Sequence, residues 1–254
     1  RAMAAYPLMD DRDLARTAML GVDSAAIHAQ WEHVAGLAWQ QVNTLGRAED
    51  YQRFVQDFAG SSQVQLAVER RNELAFAAAR EANTSTAYQA FLQQFPDAEQ
   101  ALGARSRLQE AIFREAVPTG TLAEYEAFIR DHPENTHVRD AQDMLMELNT
   151  PHKTAMEFAA FIRRYPDNPN VPEAWRRMYE SYTTVLSVQN ITRFLKDYPD
   201  YPYISELMYD YKVASLVLYP FRQGGHWGYI DGDAVERIKA DLDLAEPFLH
   251  GQAQ

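Results

Sequence analysis

The sequence predicts a mainly α-helical chain, a curved stack of about five helical hairpins running into a small β segment at its C-terminal end. Three observations predict it. An aromatic-to-proline segment recurs along the chain, a small residue recurs at a fixed distance after it, and the helical period stops near Leu218.

The recurring segments are YQRFVQDFA, YQAFLQQFP, YEAFIRDHP, FAAFIRRYP and ITRFLKDYP. Each opens on an aromatic residue or Ile, has Phe three residues on and an aromatic or His four further, and most end in Pro. The shared Phe residues are Phe54, Phe91, Phe128, Phe161 and Phe194, at intervals of 37, 37, 33 and 33. Thirteen residues after each first position stand Val64, Ala101, Val138, Val171 and Ile204; sixteen after stand Ala67, Ala104, Ala141, Ala174 and Leu207. Trp39, Phe76 and Phe113 each lie twelve residues before the tyrosine of the next segment, so a half-unit precedes the first full one.

Apolar residues at i, i+3 and i+7 share one helix face, which makes Tyr88, Phe91 and Phe95 a stripe, and likewise Tyr125, Phe128 and His132. This is the first helix of each hairpin. Pro96, Pro133, Pro166 and Pro199 end it, because proline lacks the N–H and restricts the residue before it. The spacing predicts caps for the second helices at Ser62 with Gln65, Asp97 with Gln100 and Asn170 with Glu173. It predicts first-helix starts at Thr121 with Glu124 and at Thr150 before Pro151. The recurring alanines let neighbouring helices approach and leave room for the large aromatics.

This helix pair, with its aromatic-Pro ending, resembles tetratricopeptide-like repeats, in particular the degenerate Y-x-x-F-[IL]-x-x-Y-P form of bacterial envelope proteins and assembly lipoproteins. The resemblance covers residues 44–217, behind N-terminal helices or a half-repeat at 1–43. It implies a right-handed α-solenoid. The chain departs from the standard repeat in lacking the usual Trp-Leu-Gly start and in its variable interval. An irregular all-α bundle is the competing architecture.

From residue 218 to 254 the texture changes. Gly224 and Gly225 punctuate, and His226 to Asp231 forms a strand that turns at Asp231, Gly232 and Asp233. The run Gly225, His226, Trp227, Gly228, Tyr229, Ile230, Asp231 resembles the opening of a WG repeat. Leu242, Asp243, Ala245, Pro247, Phe248, Gly251 and Ala253 resemble its closing pattern, with Leu where Tyr is usual. Since WG repeats come in tandem, one copy implies either that the natural protein continues beyond Gln254 or that this copy caps the stack. An ordinary hairpin packed on the last helix is the alternative.

The net charge of -12 speaks against nucleic acid as a partner, because phosphate binding needs clustered Lys and Arg. Residues 1–150 carry 22 acidic and 13 basic side chains, a balance of -9, and the remainder 14 and 11, a balance of -3. The absence of cysteine excludes disulfides, thiolate nucleophiles and Cys-ligated metal, and leaves periplasm and cytoplasm both open. No run is long and apolar enough to span a bilayer. The chain starts at Arg1, so a targeting segment or lipid anchor is expected to lie outside it.

Catalysis has little to stand on. His28 with His33 and His132 with His137 lack the i, i+4 spacing of a helical zinc site, and His132 takes the packing position of Phe95 and Tyr165. Asp231 with Asp233 and Asp241 with Asp243 do not form an EF-hand loop and read as turn residues. Ser61, Ser62 and Ser187 read as caps or loops, and no phosphate-binding glycine motif occurs. The expectation is therefore no enzyme, no cofactor and no metal.

Tyr198, Tyr201, Tyr203, Tyr209, Tyr211 and Tyr219 cluster late in the chain, and tyrosine favours interaction surfaces. Tyr198 and Tyr211 fall on repeat core positions, so packing of the final hairpin against the β segment competes with partner binding. Tyr201, Tyr203, Trp227, Tyr229 and Phe248 are the candidate partner-binding residues. The leading expectation is a non-catalytic protein-interaction scaffold. The envelope resemblance implies an accessory subunit of a multi-subunit assembly in the periplasm or at the outer membrane. The rivals are a module that binds glycan or peptidoglycan through Trp227, Tyr229 and Phe248, and the recruiting arm of a larger hydrolase.

Overall fold

Twelve helices, a three-stranded antiparallel sheet and a two-stranded ribbon occur among the described residues, 10–249 and 252–253, of this computed structural model. They fall into two units, Arg1–Val138 and Arg139–Gln254. The first holds α1 (Asp11–Met19), α2 (Ser24–Leu45), α3 (Ala48–Asp57), α4 (Val64–Ala82), α5 (Ser85–Gln94), α6 (Ala101–Ala116) and α7 (Leu122–Asp131). The second, entered one residue into α8 (Val138–Asn149), holds α9 (Ala155–Arg164), α10 (Val171–Tyr182), α11 (Val188–Asp197) and α12 (Ile204–Ser215). Strands β1 (Tyr219–Gln223), β2 (His226–Ile230), β3 (Glu236–Leu242), β4 (Phe248–Leu249) and β5 (Gln252–Ala253) follow.

The aromatic segments are helices α3, α5, α7, α9 and α11, each of 10 residues. In every one the fourth residue (Tyr51, Tyr88, Tyr125, Phe158, Ile191) and the seventh (Phe54, Phe91, Phe128, Phe161, Phe194) are buried. Each ends alike: the backbone N–H of Phe58, Phe95, His132, Tyr165 or Tyr198 donates to the carbonyl of the shared Phe at 2.8–2.9 Å. The proline that follows in four of them bars another turn. Full burial of one such Phe contributes about 1.5–3 kcal/mol.

The even-numbered helices α4, α6, α8, α10 and α12 begin at Val64, Ala101, Val138, Val171 and Ile204, the residues picked out by the thirteen-residue offset. Their fourth residues, Ala67, Ala104, Ala141, Ala174 and Leu207, are buried at the helix contacts. Twelve residues before each aromatic segment stands a side chain that packs onto it. Trp39 lies 5.5 Å from Phe54 between ring centres, Phe76 5.4 Å from Phe91, and Phe113 5.0 Å from Phe128. In the second unit Tyr179 lies 5.1 Å from Phe194 in the same way, and Met146 is buried at the equivalent position.

The expected second-helix caps are not formed. Gln63, Gln100 and Asn170 precede α4, α6 and α10 in right-handed helical geometry, with no side-chain cap. These helices are entered through a hydrogen-bonded turn, in which the N–H of Val64, Ala101 and Val171 reaches the carbonyl three residues back. Their side chains serve elsewhere. Asn170 donates to Gln142 O and Asp143 Oδ1 on α8, while Ser62 donates to Glu32 on α2. Thr150 starts no helix. It is buried after the end of α8, donating Oγ1–H to Met146 O at 2.8 Å, and α9 starts instead at Thr154. The capping box of Thr121 with Glu124 is present, and Thr154 with Glu157 repeats it. Ser187 caps α11.

After α12 the strands run β1-β2-β3, all antiparallel. The strand and turn expected at 226–233 are found: the Asp231 carboxylate accepts from the N–H of Asp233 and Val235 and from Arg237 Nε at 2.7 Å. Those donors hold its carboxyl below the ordinary value. Gly228 sits where the β2–β3 register shifts, and a Cβ there would lie 2.5 Å from Ile238 O and 2.8 Å from Ala240 N. Only glycine lets the two backbones approach this closely. β4 pairs with β5, and Gly251 of the expected closing pattern lies outside the described residues.

Candidate functional surfaces

In the first unit a groove of about 530 Å³ runs beside α3, α4 and α5. Its floor is made by Ala75, Ala78, Ala79, Ala87 and Ala90 with the rings of Phe91 and Phe95. Small side chains leave the trough open, and Glu49, Gln52, Arg53, Arg71 and Gln94 supply polar groups at its rim. Arg71 is half-buried and hydrogen-bonded only to neutral acceptors. Its Nη1 donates to Gln52 Oε1 at 2.7 Å, its Nε and Nη2 donate to Asn72 Oδ1 at 3.0 and 2.8 Å, and its guanidinium lies 4.6 Å over the Phe95 ring. Burial pulls its pKa below the ordinary value, so the charge is held at a cost that a carboxylate would relieve.

In the second unit a pocket of about 510 Å³ is lined by residues of α10 and α12 and by the turn at Tyr201. Tyr179 donates its hydroxyl to Asp210 Oδ2 at 2.9 Å. Arg176 lies 5.0 Å over the Tyr203 ring and 4.0 Å from Glu206. Tyr201 packs against Trp175, Tyr179 and Phe194 at 5.0–5.9 Å. Burial first, then the nearby negative charge of Glu206, pushes its pKa up to about 12. Burial and the bond to Asp210 raise that of Tyr179 further.

The candidate partner-binding residues divide. Tyr201 is 3% exposed and Tyr229 1%, so both rings are largely closed to a partner. Tyr203 is half-buried against Tyr201, at 5.6 Å. Tyr229 packs edge-on to Phe248 at 5.9 Å and donates its hydroxyl to Glu246 O at 2.7 Å, which ties β2 to the segment before β4. Trp227 and Phe248 are half-buried, and Arg222 lies 5.7 Å over the Trp227 ring. Among the described residues no ring contact joins the Tyr201–Tyr203 pair to the Tyr229–Phe248 pair. The ring contacts of Tyr201 reach α10, α11 and Tyr203, and none among the described residues reaches the sheet. Tyr211, expected at a core position, is 37% exposed, although it lies one turn after the buried Leu207 on the same face of α12; Tyr209 and Tyr219 are exposed at 69% and 53%.

His132 packs on Phe128 at 5.5 Å and His137 stacks on Phe113 at 5.0 Å. Among the described residues no three His, Asp or Glu side chains converge as a metal site, and no helix is long and apolar enough to cross a membrane. Neither a scan of protein-family models nor a search of curated proteins returns a match to this chain.

Arg71, Tyr179 and Asp210 escaped the reading of the sequence. Tyr179 was within reach, since it lies twelve residues before Ile191, the offset that selects Trp39, Phe76 and Phe113. Arg71 and Asp210 sit on helix faces with no local signal, and only the packing of other helices gives them their surroundings.

Proposed function

We propose that the chain is a non-catalytic protein-interaction scaffold, a right-handed α-solenoid of about five tetratricopeptide-like hairpins with a WG-like copy at its C-terminal end, and an accessory subunit of a bacterial envelope assembly. The observation that carries this reading is the alanine-floored groove beside the buried aromatic frame, with the half-buried Arg71 lacking a carboxylate partner among the described residues. A partner segment laid in this groove sets small apolar side chains on the alanines and one carboxylate against Arg71. Periplasmic or outer-membrane placement rests on the resemblance of the aromatic-Pro segments.

The test is crosslinking mass spectrometry in the native envelope, comparing the wild-type chain with Ala78→Trp, which fills the exposed side of the groove, and with Arg71→Ala. Both variants are expected to keep the fold and to lose crosslinks to one neighbouring protein. Retention of all crosslinks by Ala78→Trp overturns the groove as the binding surface. The half-buried Trp227 of the central strand β2, held under Arg222 of the exposed strand β1, favours the glycan-binding alternative, which predicts retention on cell-wall sacculi that Trp227→Ala abolishes.

A further inference from the structure

The pocket of the second unit differs from the groove in charge. Glu180, Glu206 and Asp210 face it against one cation, Arg176, a surplus of two negative charges. Glu180 makes no ion pair among the described residues, Glu206 reaches Arg176 only at 4.0 Å, and Asp210 uses one oxygen on Tyr179 and leaves the other open. An acidic cluster alone says little, but this one contains Tyr201. That side chain is 97% buried by its 3% exposure, lines the pocket, and has no hydrogen-bond partner for its hydroxyl among the described residues. The hydroxyl is not sealed off, and Glu206, Arg176 and Asp210, three of the groups that act on it electrostatically, stand in the pocket wall beside it. An unpartnered hydroxyl at the open end of a buried ring, beside carboxylates, is a site for a donor that carries positive charge.

We infer that this pocket holds the guanidinium group of an arginine side chain presented by a partner polypeptide. Guanidinium fits better than ammonium for a geometric reason. Its planar fork can divide donors among Asp210, Glu206 and the Tyr201 hydroxyl, while its face lies on the exposed Tyr209 ring. A like arrangement already exists next to the pocket, where Arg176 of its wall lies over Tyr203 and 4.0 Å from Glu206. The site is separate from the alanine groove and stands whether or not that groove binds a partner.

The experiment is an NMR titration of the full chain, labelled in its tyrosine rings, with three blocked tripeptides that differ only in a central arginine, citrulline or lysine. The arginine peptide is expected to shift Tyr179, Tyr201 and Tyr209 saturably. The citrulline peptide, equal in shape and uncharged, leaves them unmoved. Glu206→Gln and Asp210→Asn each weaken binding roughly tenfold, as loss of one charge-assisted hydrogen bond does. Tyr201→Phe, which keeps every ring contact, weakens it severalfold. Equal binding of the citrulline or lysine peptide overturns the assignment. So do tyrosine signals that stay fixed up to about 10 mM arginine peptide, or a Glu206→Gln, Asp210→Asn double variant that binds as the wild type does.

Discussion

In the first unit the aromatic frame recurs every 37 residues, from Phe54 to Phe91 to Phe128, whereas Phe161 and Phe194 in the second stand 33 apart. The difference lies in the even-numbered helices: α4 has 19 residues and α6 has 16, against 12 in α8, α10 and α12. Four residues are about one helical turn. In α4 that added length includes Ala78 and Ala79 and forms part of the groove floor. The shorter α10 ends at Tyr182, and its pocket takes a wall from a turn instead. At that turn position Asn135 and Asn168 donate to the carbonyls of Gln109 and Gln142 on the preceding even-numbered helix, while Tyr201 makes no such bond. One buried frame thus carries two surfaces, because helix length and one turn residue change without touching the core.

If the frame is common to both units, its deletion costs the same in each. Phe128→Ala and Phe161→Ala are each expected to lose roughly 3–5 kcal/mol, the range for emptying a packed aromatic site. Denaturant unfolding measures it. An unchanged midpoint for either variant breaks the equivalence at that position.

A somewhat smaller effect sharpens the contrast between helices and sheet. Gly228→Ala forces a Cβ against the backbone of Ile238 and Ala240, which cannot swing aside as a side chain would. The expected loss is roughly 1–3 kcal/mol. Gly232→Ala meets nothing within 4 Å and is the matched control, expected within about 0.5 kcal/mol of wild type. Both are read by thermal unfolding of the full chain.

The helical frame was legible because aromatic spacing and small-residue spacing are local in sequence and repeat. The second helices start at Val64, Ala101, Val138, Val171 and Ile204, positions that the sequence marks only as recurring residues at a fixed offset. The strand at 226–230 and its turn at Asp231 were legible for the same reason, since glycine and aspartate act within a few residues. The second-helix caps misled because Ser62 and Asn170 have the cap chemistry but spend it on α2 and α8, partners about thirty residues away. The candidate surfaces were the least legible part. The exposure of Tyr209, the burial of Tyr201 and the neutral hydrogen-bond partners of Arg71 all depend on where neighbouring helices lie, which no short motif encodes.

The smallest expected effects compare one cap from each unit. Thr121→Ala and Thr154→Ala each remove a side-chain acceptor from the first turn of α7 or α9, at about 1 kcal/mol. The partner carboxylates make both caps pH-sensitive. Glu124 accepts first from the Thr119 hydroxyl and then from the Thr121 N–H, and Glu157 accepts first from the Thr154 N–H, so both carboxyls sit below their ordinary value of 4.5. A depressed carboxyl stabilises the fold fully above the unfolded value, and that contribution is lost as pH falls through the lower, folded one. Stability should therefore decline as pH drops below about 4.5. Glu124→Gln and Glu157→Gln should each flatten the decline by a similar amount, since both boxes have the same reciprocal Thr–Glu bonds, with Thr119 as the extra partner of one carboxylate and His152 of the other. A pH series of urea midpoints reads this directly. Flattening by only one of the two variants would separate the caps that the repeat makes equivalent.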